Sequence, residues 1–121
     1  MSAATWLGVA LLGGLGAIAR FVIDGRVAGL TGRSFSYGTL VVNLSGAFVY
    51  GILLGAAVEG TALVLAGVAT LGAYTTFSTW MHETHRLVED GRLRSAALNI
   101  TVSIALGIAA AVLGRTIGSA L

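Results

Sequence analysis

Several residue types are absent or rare in this 121-residue chain, and each absence excludes a class of protein or site. Without cysteine, the chain can form neither a disulfide framework nor a thiolate metal site. Without proline, no helix can be kinked by that residue. Lysine is also absent, and the seven arginines form no stretch basic enough to indicate nucleic-acid binding.

Charge is scarce as well, because only 10% of the residues are charged, against roughly 25% in a soluble domain. Hydrophobic residues make up 56% of the chain, and its mean hydropathy is +0.92. A soluble fold of this length cannot bury so much apolar surface, whereas a bilayer accepts it. Backbone polar groups in hydrocarbon must bond within their own segment, so the spanning segments should be helices.

The sequence therefore predicts an all-α, multi-pass protein of the cell membrane, with one domain of four transmembrane helices over residues 1–121. The predicted spans cover about residues 3–23, 37–58, 61–81 and 95–118. The arginines are divided unequally between the two sides. Only Arg115 falls on the side of the termini, so we expect the termini to lie outside. The arginines of the opposite side are Arg26, Arg33, Arg86, Arg92 and Arg94.

Polar residues within two of the spans form stripes at helical spacing. Such residues either line a functional surface or hydrogen-bond a neighbouring helix. The stripe of the second span is Thr39, Asn43, Gly46 and Tyr50. The stripe of the fourth span is Ser95, Asn99, Ser103 and Gly107.

The third span carries a polar run at its centre, where residues 72–80 read GAYTTFSTW. Gly72 and the β-branched threonines that follow weaken a helix, so we expect the third helix to be broken mid-membrane. A break at that depth is tolerated only where it is buried in protein or faces water. Carbonyls freed by a break can coordinate a hard alkali cation.

The same run offers groups that suit a small anion. Hydroxyls such as those of Ser78 and Thr79 donate hydrogen bonds without carrying charge. The ring edges of Phe77 and Trp80 carry partial positive charge, although both rings could equally face lipid. Arg20, at the end of the first span, either reaches the headgroups or raises the anion concentration at a pore mouth.

Three stretches resemble signatures of the CrcB/Fluc family of fluoride channels. They read GGLGAIAR at 13–20, GTLVVNLSGAFVYG at 38–51 and GAYTTFSTW at 72–80, and together they cover nearly the whole chain in order. The resemblance implies that the chain is not an enzyme. It implies a subunit of a fluoride-specific ion channel, which exports fluoride passively and so reduces its toxicity in the cytoplasm.

The resemblance further implies an antiparallel, dual-topology-type dimer with two fluoride pathways. A structural sodium ion, which is not transported, would be held at the dimer centre by the backbone carbonyls of Gly72 and Thr75. The fluoride pathway would be lined by Arg20, Asn43, Phe77, Ser78, Thr79, Trp80 and Ser103.

Two positions depart from the family pattern. Trp80 stands where the second ring of an aromatic pair is usually Phe, and Asn99 stands where the family usually has Tyr. The unequal distribution of the arginines is a third departure. A subunit that inserts in both orientations should carry similar numbers of arginines in the connections on its two sides. We therefore expect the partner to be either a second copy of the chain or an oppositely oriented homologue.

Two other functions compete with the channel. A small four-span exporter depends on an acidic residue within the first span, where this chain has none before Asp24. A non-conducting or heterodimer-only subunit would use glycines such as Gly51 and Gly55 for packing alone. An enzyme is not expected, because the sequence indicates no buried carboxylate pair and no nucleophile activated by a base.

Overall fold

A computed structural model describes all 121 residues, which form helices and no strand. The helices are α1 (Ala3–Thr31), α2 (Tyr37–Gly55), α3 (Gly60–Leu63), α4 (Gly72–Tyr74), α5 (Ser78–Glu89) and α6 (Leu93–Ser119), with a π-helical stretch, Val64–Leu71, between α3 and α4. Four segments are long and apolar enough to cross a membrane, namely α1, α2, Gly60–Glu89 and α6. The predicted all-helical chain with four such segments is confirmed.

Two helices are longer than the apolar spans that predicted them. Helix α1 continues through the polar residues after position 23, and α5 continues through much of the polar segment after position 81. Both end near a glycine with positive φ, Gly32 at 77° and Gly91 at 73°, a conformation that other residues avoid. Polar residues alone do not stop a helix, whereas these glycines allow the chain to turn.

Helices α2 and α6 form the most extensive helix pair of the chain. A Cβ atom on Gly51 would overlap the carbonyl oxygen of Ala111, and one on Gly114 would overlap that of Phe48. Gly55 and Gly118 meet the facing backbone in the same way, four residues further along each helix. We call these four residues the glycine seam. Small residues at this spacing let two membrane helices approach backbone to backbone.

The third segment is irregular along its whole length. It begins as the short helix α3, widens into the π-helix, and returns to α-helical form for the three residues of α4. The backbone then turns to an extended conformation at Thr75, with φ −79° and ψ 160°, and α5 begins at Ser78. Helix α1 covers one side of this segment, where Gly16 lies directly against the carbonyl oxygen of Thr70.

Candidate functional site

Asn43 on α2 holds the non-helical residues between α4 and α5 by two hydrogen bonds. Its Nδ2 donates to the carbonyl oxygen of Thr76 at 2.9 Å, and its Oδ1 accepts the backbone N–H of Thr76 at 2.8 Å. The side-chain amide therefore satisfies both backbone groups of Thr76, which a helix would otherwise pair. An amide nitrogen carries two hydrogens, so one N–H of Asn43 remains available for another acceptor.

Two carbonyls beside Thr76 lose the donors that a continuous helix would supply. The N–H of Thr76 is four residues beyond Gly72 and donates to Asn43 instead. The N–H of Thr79 is four residues beyond Thr75 and donates to the Thr76 hydroxyl at 3.1 Å. The carbonyls of Gly72 and Thr75 are therefore left without a helical partner, and both residues line the same groove.

This groove, which we call the break groove, has a volume of about 540 Å³. Its wall is largely apolar and is formed by α2, the π-helix and residues between Gly72 and Trp80. The lining residues predicted for the anion or the cation are Asn43, Gly72, Thr75, Phe77 and Trp80, and Gly46 and Tyr50 of the second-span stripe line it as well. The groove thus brings together both residues predicted for the cation and three of the seven predicted for the anion.

Phe77 and Trp80 form an edge-to-face pair at the rim of the break groove. Their ring centroids lie 5.7 Å apart with an interplanar angle of 76°, a favoured arrangement because a positive ring edge meets a negative face. Phe77 is 70% exposed in the single chain. A ring so exposed in the single chain is free to contact lipid, another subunit or a pathway for ions.

A second groove of about 330 Å³ lies against α6, and we call it the span-four groove. Asn43 and Trp80 line it as well as the break groove, so these two residues stand between the two spaces. Ser103 and Gly107, from the polar stripe of the fourth span, line its other side. Asn99, from the same stripe, is instead buried to 1% exposure and lines neither groove.

A third and smaller space of about 160 Å³ lies between α1, α2 and the start of α5, and we call it the arginine cavity. Arg20 and Thr79 line it, together with Asp24 and Thr39. Arg20 has a buried Nε atom without a hydrogen-bond partner. Thr76 lines this cavity and the break groove, so the peptide held by Asn43 separates the two.

Comparison with known proteins identifies the chain's family. Residues 7–115 match the family described as "CrcB-like protein, Camphor Resistance (CrcB)". The chain belongs to this family. A relative from Mycolicibacterium paratuberculosis, named "Fluoride-specific ion channel FluC 2", is 58% identical over 93% of this chain and 92% of its own length. A relative of the same name from Mycobacterium bovis is 52% identical over 97% and 93%. One from Geobacter sulfurreducens, named "Fluoride-specific ion channel FluC", is 42% identical over 84% and 86%.

CrcB membership confirms the resemblance seen in the three sequence stretches and does not favour the small-exporter alternative. Together with the four apolar segments, it shows a multi-pass membrane protein. The predicted pathway residues are divided among three spaces in the single chain. Arg20 and Thr79 lie at the arginine cavity, while Ser103 lies at the span-four groove. Ser78 is exposed and lines none of the three.

Sequence reasoning assigned no site role to Thr76 and Thr39, which line these spaces, or to Glu83, which binds Thr39. Thr76 holds a central position because its backbone pairs with Asn43, and the threonine run was a signal for it. Thr39 donates to Glu83 at 2.5 Å, which links α2 to α5 beside the arginine cavity. Thr39 was visible in the polar stripe of the second span, but no local signal connects it with Glu83, which lies 44 positions away.

Proposed function

We propose that this chain is a subunit of a fluoride-specific ion channel, which lets fluoride leave the cell down its electrochemical gradient. The printed names of its relatives point to fluoride. The single structural observation that carries the proposal is the Asn43–Thr76 pairing. It supports a non-helical segment in the third span with uncharged donors and ring edges around it.

These groups suit fluoride for an electrostatic reason. A small anion holds its water tightly, so a pathway must offer hydrogen-bond donors in its place. The remaining N–H of Asn43 and the hydroxyls of Thr79 and Ser103 are such donors, and none of them carries a charge that would trap the ion. The edges of Phe77 and Trp80 add weak positive potential where hydroxyls are absent.

A second subunit, inserted in the opposite direction, would cover the break groove. The interruption at residues 75–77 would then lie at mid-membrane depth, protected from lipid. In the single chain, carbonyls without helical donors border an open, largely apolar groove. Such backbone is tolerated in a membrane only where protein or water covers it, and this supports a dimer.

A structural sodium ion fits the same place. The carbonyls of Gly72 and Thr75 have lost their helical donors, and oxygen ligands of this kind suit a hard cation. Bound sodium would supply positive charge that satisfies carbonyls from both subunits. Exchange of sodium for N-methylglucamine should shift the purified protein from dimer towards monomer in detergent. An unchanged dimer fraction without any alkali cation would contradict this assignment.

The arginine distribution favours one variant of the proposal, in which the partner is an oppositely oriented homologue. The structure gathers Arg33, Arg86 and Arg92 around one polar cleft at a single end of the bundle. Such a bias fixes one orientation instead of two. Co-expression with a homologue of opposite bias, followed by pull-down, tests for the mixed dimer. A fluoride-conducting homodimer of this chain alone would contradict the strict form of this variant.

Fluoride efflux from liposomes tests the proposed function directly. Vesicles containing the purified chain and potassium fluoride should release fluoride to an electrode only when valinomycin carries potassium, because a channel moves net charge. The same vesicles loaded with potassium chloride should release little chloride. Flux that requires a proton gradient, or chloride release at the fluoride rate, would contradict a fluoride-specific channel.

A further inference from the structure

Trp80, Thr84 and Asn99 form a closed cycle of three hydrogen bonds between α5 and α6. Trp80 Nε1 donates to the backbone oxygen of Asn99 at 3.0 Å. Asn99 Nδ2 donates to Thr84 Oγ1 at 2.9 Å. Thr84 Oγ1 in turn donates to the backbone oxygen of Trp80 at 2.8 Å. We call these three residues and their bonds the Trp80 cycle.

The Trp80 cycle lies in a dry part of the chain. Asn99 is 1% exposed and Thr84 is 7% exposed, so water does not compete for their polar atoms. A buried donor that loses its partner costs more than the bond itself contributes, which makes the closed arrangement persistent. The backbone carbonyl oxygen of Asn99 accepts the indole N–H, and its second lone pair remains for the hydrogen bond within α6.

The cycle determines which part of the indole faces the grooves. Trp80 lines both the break groove and the span-four groove, and its ring packs against Phe77. Its N–H points to α6 and is occupied there. The grooves therefore meet carbon edges and faces of the indole instead of its polar donor.

We propose that the Trp80 cycle holds the indole as a fixed partition between the two grooves and keeps its N–H away from the permeating anion. Thr84 and Asn99 are then positioning residues for halide selectivity. The inference rests on the proposed function. A partition fixed in one rotamer sets a constant width, which excludes a larger halide, whereas a mobile indole with an exposed N–H would admit and bind chloride too.

The cycle also connects the two positions at which this chain departs from the family pattern. Trp80 is larger than the usual Phe and brings an N–H donor, while Asn99 is smaller than the usual Tyr. In the structure the added donor binds the backbone oxygen of Asn99, and the Asn99 side-chain amide donates to Thr84. Both departures therefore belong to the Trp80 cycle, and neither places a free hydrogen-bond donor in the grooves.

The test compares Thr84→Val with Thr84→Ser in a Trp6→Phe background, where Trp80 is the remaining tryptophan. Valine removes the hydroxyl at similar volume, and serine keeps it. Thr101→Val is the matched control, because the Thr101 hydroxyl is exposed and binds only the carbonyl of Ala97 in its own helix. Fluoride and chloride efflux from liposomes gives the selectivity ratio, and fluorescence anisotropy gives the mobility of Trp80.

Thr84→Val removes two of the three bonds of the cycle, and we expect it to lower the fluoride-over-chloride ratio by about fivefold or more, the factor that the loss of one such bond alone represents. The anisotropy should fall in the same variant, and both readouts should stay at the parent level in Thr84→Ser and Thr101→Val. Asn99→Leu removes the amide donor at similar volume and should act like Thr84→Val. Asn99→Leu therefore still tests the proposal if Thr84→Val does not fold.

Three results would count against the proposal in different ways. An unchanged ratio in a conducting Thr84→Val or Asn99→Leu channel would overturn the selectivity role alone. Unchanged anisotropy in both variants would overturn the cycle as the element that fixes the indole. A parent chain that releases no fluoride, alone or with a homologue, would overturn the proposed function and the selectivity role with it.

Discussion

The glycine seam and the third segment hold their helices in opposite ways. In the seam, α2 and α6 meet backbone to backbone with no room for a Cβ atom at Gly51 or Gly114. In the third segment, a side-chain amide and several hydroxyls pair with a backbone that is not helical. The first region is regular and tightly packed, whereas the second is irregular and borders open grooves.

This contrast indicates that the seam positions α2, whereas the third segment forms the grooves. Helix α2 takes part in both regions, since it carries Gly51 in the seam and Asn43 at the non-helical segment. Close packing fixes the position of α2, and α2 in turn places the Asn43 amide within hydrogen-bonding distance of the Thr76 backbone. An irregular backbone persists only when its surroundings over-determine it, and the seam provides that support.

The largest expected effect follows from an added methyl group in the seam. Gly114→Ala would drive a Cβ into the carbonyl oxygen of Phe48, so we expect a loss of about 2–3 kcal/mol in the free energy of unfolding. Thermal unfolding in detergent measures it. Gly29→Ala on α1 is the control, because its Cβ would meet nothing and alanine favours the helix. Equal melting temperatures for the two variants would refute the seam as the rigid region.

The next effect concerns the non-helical segment itself. Asn43→Asp removes the donor to the Thr76 carbonyl and places negative charge beside the anion, so we expect fluoride flux to fall about a hundredfold. Liposome efflux measures the change. Ser45→Ala on the same helix is the control, since its hydroxyl binds Val42 and Tyr74 and lines neither groove. Flux at the parent level in Asn43→Asp would remove Asn43 from the pathway.

A smaller effect is expected at the rim of the break groove. Phe77→Ile removes a ring edge and its contact with Trp80, which should lower fluoride flux about tenfold. The melting temperature should barely change, because Phe77 is exposed in the single chain. Trp6→Leu, an aromatic-to-aliphatic change at an exposed position of α1, is the control for flux. A large loss of stability with unchanged flux would give Phe77 a packing role instead.

The smallest effect is expected at the arginine cavity. Arg20→Gln removes a positive charge that attracts anions, so we expect about a threefold lower flux at low salt and a smaller difference at high salt. Efflux at two ionic strengths measures it. Arg94→Gln is the control, because Arg94 is exposed and lies at none of the three spaces. A loss that does not depend on salt would indicate a local contact of Arg20 instead of a field effect.

Much of the fold could be read from local patterns. The four apolar segments follow from composition and length. The π-helix at Val64–Leu71 had no such signal, because its residues are as apolar as those of a regular helix. The length of α1 was also not evident, since the polar residues after position 23 predict the end of the helix there.

Part of the candidate site could likewise be predicted from the sequence, and part could not. The stripe containing Asn43 and the rings of Phe77 and Trp80 were visible as residue types suited to an anion. Their partners were not, because the Asn43–Thr76 pair spans 33 positions and its geometry depends on how α2 packs. Asn99 shows this most clearly, since its stripe allowed either a functional surface or a bond to a neighbouring helix, and only the structure shows it buried and bonded to Thr84.

The sequence by itself determined that this protein belongs in a membrane, that four segments are long and apolar enough to cross it, and which uncharged groups those segments carry. These properties depend on composition and on neighbours within one turn of helix. Only the tertiary structure decided which glycines meet backbone, which amide holds Thr76, and where the Trp80 N–H points. Those contacts join residues far apart in the chain, and they exist only when helix packing brings the donors and acceptors together.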